Sequence, residues 1–207
     1  MCLKNKLQIA FILIGVFLFS SVSWAAPIPA TSSSLLIDSE NGTFRSHLGF
    51  QISAGQSDWI LSDAPNNHKY IAIQYKSPSN QGGVRAALTV RIDELSQSTN
   101  LRSYVKKWIR DYPKLGFDIL AARKVSVDEK PAFLIDLINR ESSLQLRQVV
   151  FLKKQRAVIL TCRDHKERFL ENLKSCNQII RSFDWTLPES DNRQLAVQKS
   201  TKSRLKK

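Results

Sequence analysis

Histidine, cysteine and methionine are scarce in this sequence, whose 207 residues include three histidines, three cysteines and one methionine. The histidines, His47, His68 and His165, are widely separated and do not have the spacing of metal ligands. The sequence also has no Gly-x-Ser-x-Gly elbow, no glycine-rich phosphate loop and no His-Glu-x-x-His helix. We therefore expect no bound metal, no cofactor and no catalytic residue. These absences predict that the protein is not an enzyme. The least favoured alternative is an enzyme whose type the sequence does not reveal.

Long apolar runs are also missing, except for residues 7–19 near the start of the chain. Two lysines precede this run, and small residues lead from it to a cleavage pattern before Ala26, which is typical of a secretory signal. The run is shorter than the roughly 20 residues that cross a bilayer as a helix, so an uncleaved anchor is the weaker alternative. We predict that residues 1–25 are a signal peptide and that the protein is exported to the periplasm or the extracellular space.

Cleavage before Ala26 would remove Cys2 and leave Cys162 and Cys176. An even number of cysteines in an exported domain favours a disulfide bond, with two buried free thiols as the alternative. A helix that continued straight from the strand of Cys162 would carry Cys176 about 18 Å away, whereas bridged Cα atoms lie about 5–6 Å apart. The disulfide therefore requires residues 163–168 to fold the chain back on itself.

The stretch "LTCRDH" places Cys162, Asp164 and His165 within four positions and raises the question of a thiol nucleophile. A nucleophilic cysteine needs a base within hydrogen-bond reach and usually a group that lowers its pKa. Neighbours in sequence at a strand end are rarely oriented in that way, and no third residue is spaced to assist them. The pattern therefore favours a structural role for the cysteine over catalysis.

Negative charge is in short supply, because 18 acidic residues face 31 lysines and arginines, for a net charge of +13. Residues 188–207 alone carry +4 and few apolar side chains, so they cannot bury enough surface to order themselves and are predicted to be a disordered basic tail. One interpretation is that such a tail only improves solubility. The other is that it attracts an anionic membrane or polymer, and attraction to a membrane would make the protein a peripheral membrane protein. Nucleic acid is not an expected partner of an exported protein. The cations of the tail are Arg193, Lys199, Lys202, Arg204, Lys206 and Lys207.

Regular hydrophobic periodicity follows residues 26–43, which are rich in Ala, Pro, Ser and Thr and are interpreted as a flexible linker. Residues 84–93 alternate strictly, which predicts a strand with Leu88 on a buried face and Asp93 on a wet face. Residues 70–76 are expected to pair with this strand.

The apolar period then lengthens to three and four over residues 101–112, which predicts an amphipathic helix. A second helix is predicted within residues 166–185. Between the two helices lie four strand-like runs, at residues 117–127, 131–139, 144–152 and 156–162. This order predicts an α+β domain over residues 44–187, with a mostly antiparallel β-sheet and helices packed on its faces.

Asp136 interrupts the apolar run of residues 131–139. A carboxylate in such a position is costly unless a cation meets it, and Arg147 or Arg85 on a neighbouring strand can supply one. We expect a satisfied ion pair with one of these two arginines. The alternative is that Asp136 and Arg147 form a polar anchor in a binding cavity.

Two stretches of the chain resemble the PsbP-like, or Mog/PsbP, α/β/α sandwich. "LGFQISAGQSDWIL" is similar to the opening hairpin of that superfamily, with Phe50 and Ile52 in a short strand and Trp59 at the start of the next strand. "AVILTC" and the later "IIRSF" are similar to its last strand and C-terminal helix, with Ser182 at the helix end. The resemblance covers residues 44–185, nearly the whole predicted domain.

Members of that superfamily are mostly non-enzymatic and include accessory subunits of photosystem II, a nuclear GTPase-binding protein and exported bacterial proteins of unassigned role. The resemblance therefore implies the sandwich fold and a binding or accessory role, and it carries over no ligand-binding residue. From these observations we expect an exported, non-enzymatic binding or accessory protein of the cell envelope. An electrostatic adaptor that acts through the basic tail is the alternative.

Overall fold

The structure, a computed structural model, describes most of the predicted domain. The described residues are 26–27, 35–38, 42–63, 70–78 and 85–186. The predicted signal peptide, the basic tail and His68 all lie outside them.

A large antiparallel sheet forms the centre of the domain. Its strands are β1 (Ala26–Pro27), β5 (Ile60–Asp63), β6 (Ile71–Lys76), β7 (Ala87–Glu94), β8 (Phe117–Val127), β9 (Lys130–Asn139), β10 (Leu144–Lys153) and β11 (Arg156–His165). They lie in the order β5-β6-β7-β11-β10-β9-β8, and β1 pairs with the end of β7. Every pairing is antiparallel, which confirms the predicted α+β class.

A smaller antiparallel sheet lies beside the large one. It contains β2 (Leu35–Asp38), β3 (Thr43–Ser46), β4 (Phe50–Ser53) and β12 (Asp184–Trp185), in the order β12-β4-β3-β2. The segment 26–43, predicted as a flexible linker, thus contains the strands β1 and β2. Sheet edges offer unpaired backbone groups to any neighbouring extended segment, and side-chain composition does not reveal such pairing.

The first helix, α1 (Leu101–Asp111), begins where the side chain of Asn100 accepts a hydrogen bond of 2.8 Å from the backbone N–H of Ser103. A short 3-10 helix, Tyr112–Leu115, continues it and ends at Gly116. Gly116 has a φ of 82°, a left-handed conformation that glycine adopts without a steric penalty. The predicted helix is therefore confirmed.

The second helix, α2 (Phe169–Arg181), follows β11 after a turn. At its end the Ser182 hydroxyl donates a hydrogen bond to the carbonyl of Ser53 in β4 and accepts one from the Ser53 N–H, both at 2.8 Å. These bonds attach the end of α2 to the small sheet, so helix and small sheet cover the same face of the large sheet.

Two apolar cores lie on opposite faces of the large sheet. The α2 core, beneath α2 and the small sheet, includes Phe44, Phe50, Tyr75, Leu88, Phe151, Leu160 and Phe183. The α1 core, beneath α1, includes Tyr104, Val105, Tyr112, Ile135, Val150 and Ile159.

The prediction that β7 has one wet face is wrong for part of the strand. Leu88 and Val90 face the α2 core as expected, but Ala87 and Asp93 on the opposite face are also buried. This second face contacts α1, since Tyr104 bonds to Asp93 and Arg91 lies over the Trp108 ring, although Arg91 and Thr89 remain partly exposed. Its polar residues therefore need partners inside the protein.

Candidate functional site

A cavity of about 330 Å³ opens at the end of the domain where the two sheets meet, and we call it the recess. Four separate chain segments form its wall: the turn between β3 and β4, the end of β7, the hairpin between β10 and β11, and the end of β12. The side chains that define its chemistry are Leu48, Glu94, Lys153, Lys154, Arg156 and Trp185.

Arg156 joins these segments at the base of the recess. It is the first residue of β11 and lies directly opposite Glu94 in β7. Its guanidinium donates one hydrogen bond to the carbonyl of Leu48 and another, of 2.8 Å, to the Glu94 carboxylate. Hydrogen bonds that involve an ionised group are stronger than neutral ones, so Arg156 holds the small sheet against the large sheet at this end.

Lys153 and Lys154 lie in the tight hairpin that joins β10 to β11. Lys154 has a φ of 55°, the left-handed conformation that a tight hairpin turn requires. The Lys153 ammonium lies 5.5 Å from the centre of the Trp185 ring, within the range of a cation–π interaction. The hairpin therefore presents two lysines to the recess, one of them over an aromatic wall.

The Trp185 ring is held in place from the core side. It makes edge-to-face contacts with Phe183, at 5.1 Å between ring centres, and with Phe50, at 6.5 Å. Three cationic side chains and one carboxylate line the recess, so its net charge is positive. The carboxylate of Glu94 is already paired with Arg156. None of the lining residues is a histidine or a cysteine.

The structure joins Cys162 and Cys176 in a disulfide, as predicted, with their Cα atoms 6.3 Å apart. From Cys162, β11 runs three residues further, to His165, which is about 10 Å at the rise of a strand. After the turn at 166–168, α2 runs seven residues from Phe169 to Cys176, which is also about 10 Å at the rise of a helix. Because α2 runs back about as far as β11 ran forward, Cys176 returns to the level of Cys162, as the disulfide requires.

The residues beside Cys162 in "LTCRDH" have separate structural contacts. The buried Asp164 carboxylate accepts hydrogen bonds from the backbone N–H of His165, at 2.8 Å, and from the Asn172 side chain, at 2.7 Å. His165 pairs with Glu167 on the surface. Successive strand residues point to opposite faces, so the His165 side chain leaves β11 on the face opposite Cys162. The structure therefore does not assemble a thiol–imidazole pair here.

Asp136 and Arg147 lie directly opposite each other in β9 and β10. Their side chains form two parallel hydrogen bonds, of 2.7 and 2.8 Å, and both side chains are mostly buried. Arg147 satisfies both carboxylate oxygens, as expected for a structural pair. Neither residue lines the recess, so the recess does not use them as a polar anchor.

A buried polar network lies beneath α1. The Tyr104 hydroxyl donates a hydrogen bond of 2.5 Å to the Asp93 carboxylate, and the Arg91 guanidinium donates another of 3.1 Å. Nearby, the Tyr112 hydroxyl donates to the side-chain carbonyl of Gln148. Asp93 itself has no exposed surface. The network therefore compensates the burial of a carboxylate within an otherwise apolar core.

Burial shifts the proton affinities of this network. Burial raises the pKa of Tyr112 to about 12, and it raises the pKa of Tyr104 further, with the Asp93 carboxylate adding to the effect. Burial lowers the pKa of Arg91, but the Asp93 carboxylate together with Tyr104 and Tyr112 more than offsets it, so the net shift is upward. Both tyrosines therefore stay neutral donors, and Arg91 stays charged, throughout the physiological pH range.

Sequence reasoning missed both the recess and this network. The network had a detectable signal, because Tyr104 and Tyr112 lie on the apolar stripe of α1 and a buried tyrosine hydroxyl needs a partner. The recess had no such signal, since its residues come from four turns and strand ends. Within the described ranges, no group of His, Cys, Asp and Glu side chains can hold a metal ion. None of the helices there is long and apolar enough to span a membrane.

Comparison of the sequence with protein families and with curated proteins finds no match. Among solved structures, the chain is similar to LpqN, involved in cell envelope biogenesis of Mycobacterium tuberculosis, with a TM-score of 0.52 and 9% identity over 74% of this chain and 90% of that one. The chain therefore has a fold like that of LpqN. A similar match is the cyanobacterial PsbP, CyanoP, of Synechocystis, with a TM-score of 0.47 and 12% identity over 80% of this chain and 95% of that one. A Pseudomonas aeruginosa protein of unknown function has a TM-score of 0.48 and 16% identity over 64% and 87% of the two chains. At these identities, the likeness concerns the fold alone.

Proposed function

We propose that the protein is an exported, non-enzymatic accessory protein of the cell envelope that binds its partner at the recess. The observation that carries this proposal is the recess itself, a preformed concave surface with a net positive charge, a fixed aromatic wall and no thiol or imidazole in its lining. Such a surface supplies binding contacts without an evident nucleophile or general base.

Three further observations support an envelope location. Disulfides persist in oxidising compartments, and the Cys162–Cys176 bond would suit a protein that is exported. The predicted signal peptide, residues 1–25, agrees with this compartment. LpqN, whose fold is similar, is described as involved in cell envelope biogenesis.

A second candidate function is an electrostatic adaptor for an anionic membrane or polymer. The basic tail carries +4 and begins at residue 188, only three residues after Trp185 in the wall of the recess. The tail and the recess have the same sign of charge, so an anionic surface attracts both.

Co-purification from envelope extracts tests the proposal and separates the two candidates. We expect the full-length protein to retain a specific partner, and the double substitution Lys153→Glu and Lys154→Glu to release it, because it reverses the charge at the recess. The matched control is Lys174→Glu, which changes an exposed lysine on α2. All variants are compared at equal amounts of folded protein, checked by circular dichroism.

The two candidate functions predict opposite results when the six cations of the tail are replaced by glutamine. If the recess carries binding, this variant keeps the partner; if the tail carries binding, it loses the partner and its salt dependence. Turnover of a small molecule that disappears in a His165→Ala variant would contradict a non-enzymatic role.

A further inference from the structure

We propose that the recess is a binding site for a phosphate or carboxylate group attached to an apolar body. The inference rests on the proposed binding function and names the chemical class of the ligand. No acidic side chain among the described residues forms an ion pair with Lys153 or Lys154, and both are exposed. The adjacent ammonium groups of Lys153 and Lys154 are therefore available to bind an anion in the recess.

Arg156 shows that the lining of the recess already binds one carboxylate. Its outer nitrogen already binds the Glu94 carboxylate at 2.8 Å, and about half of the Glu94 side chain remains exposed. A ligand anion that enters the recess meets the same guanidinium and is repelled by Glu94. Glu94 therefore acts as a competitor for the ligand, and its neutralisation is expected to favour binding.

The remaining wall is apolar. The ring of Trp185 and the side chains of Leu48 and Leu95 line the recess together with the cations. Aromatic faces bind flat or aliphatic groups, and such stacking adds to the attraction of the charge. A volume of about 330 Å³ lies at the small end of ligand cavities, which suits a small molecule or one lipid headgroup.

Phenyl phosphate, which combines both features, is the probe for the first experiment. The full-length protein is labelled with nitrogen-15, and the indole N–H signal of Trp185, assigned with a Trp185→Phe variant, is followed during titration. We expect a saturable shift of this signal, with sodium phosphate producing a weaker one because it lacks the apolar body. The absence of a saturable shift with phenyl phosphate would overturn the proposal.

Substitutions give the expected direction at each position. Lys153→Gln and Lys154→Gln together should weaken binding about tenfold, because each exposed ion pair contributes up to about fivefold. Glu94→Gln should tighten binding a few-fold, and the control Lys174→Gln should leave it unchanged. Equal affinities for the wild type and the double lysine variant, at unchanged thermal stability, would refute the site.

Vesicles distinguish the two sources of such an anion. Flotation with vesicles of phosphatidylglycerol and phosphatidylcholine, compared with phosphatidylcholine alone, reports a headgroup ligand, whereas binding of phenyl phosphate without flotation identifies a soluble one. Either result supports the site when it depends on Lys153 and Lys154. If neither probe binds but the recess variant still loses its partner from envelope extracts, the ligand class is wrong and the proposed function stands.

Discussion

The two faces of the large sheet are stabilised by different means. The α2 face is mostly apolar, with Phe183 fully buried and the Cys162–Cys176 bond joining helix to strand, and it also buries one carboxylate, Asp164, which accepts a hydrogen bond from Asn172. The α1 face places a fully buried carboxylate, Asp93, among aromatic side chains, where it pairs with Arg91 and accepts a hydrogen bond from Tyr104. The same sheet therefore has a packed and cross-linked side and a hydrogen-bonded side.

The difference predicts how each face fails. Removal of atoms from the α2 face costs the transfer free energy of buried apolar surface and leaves a cavity. Removal of one partner from the α1 face leaves another polar group buried without a hydrogen bond. The first loss is insensitive to pH, whereas the second depends on the protonation of the groups involved. The following substitutions separate these mechanisms.

The largest effect is expected for Phe183→Ala on the α2 face. The Phe183 ring is fully buried and stacks on Phe151 with ring centres 4.1 Å apart. The substitution should lower the free energy of unfolding by about 4 kcal/mol, measured by urea denaturation. Leu170→Ala, at a residue of α2 that is 76% exposed, is the control and should change stability by less than about 0.5 kcal/mol. Similar values for the two variants would contradict the assigned core.

Loss of the disulfide should have the next largest effect. The bond joins cysteines 14 positions apart, and closure of a loop of this length contributes about 3 kcal/mol by the chain-entropy estimate. The double variant Cys162→Ala and Cys176→Ala should lose about this much stability in urea denaturation. Thiol titration of the unfolded, unreduced protein without residues 1–25, which contain Cys2, should find no reactive thiol, and two reactive thiols would refute the bond.

On the α1 face, Asp93→Asn should lower the free energy of unfolding by about 2 kcal/mol. The substitution keeps the size of the side chain but removes the charge that Arg91 and Tyr104 bind. Asp184→Asn is the matched control, because Asp184 is 56% exposed and lies 3.7 Å from Lys130, an arrangement that contributes less than about 1 kcal/mol. A neutral effect of Asp93→Asn would show that the network does not stabilise this face.

The smallest effect should appear in alkaline solution. The folded pKa of Tyr112, about 12, is above the unfolded value of 10.0, so its contribution is fully present below pH 10 and is lost as the pH rises toward 12. The stability difference between the wild type and Tyr112→Phe should therefore shrink by about 1 kcal/mol between pH 9 and pH 11. Urea denaturation at several pH values measures this difference, and a constant difference would rule out the buried hydroxyl as its source.

Much of the fold was predictable from the sequence, because burial imposes a period on side chains. The strand around Leu88 and the helix with Tyr104 on its apolar stripe appear as predicted. The wet face assigned to Asp93 was wrong, since alternation shows which residues share a face but not what covers that face. The linker 26–43 was assigned by composition, which does not register the edge pairing of β1 and β2.

The sequence by itself determined the order of the elements from β6 to α2, the pair of cysteines and the excess of positive charge. Only the tertiary structure decided that Glu94, Arg156 and Trp185 form one wall, because these residues lie at strand ends where no periodic pattern places one beside another. It also decided that Cys162 reaches Cys176, since this depends on the direction in which α2 leaves its turn. Periodicity is a local consequence of burial, whereas the recess depends on the register of two sheets.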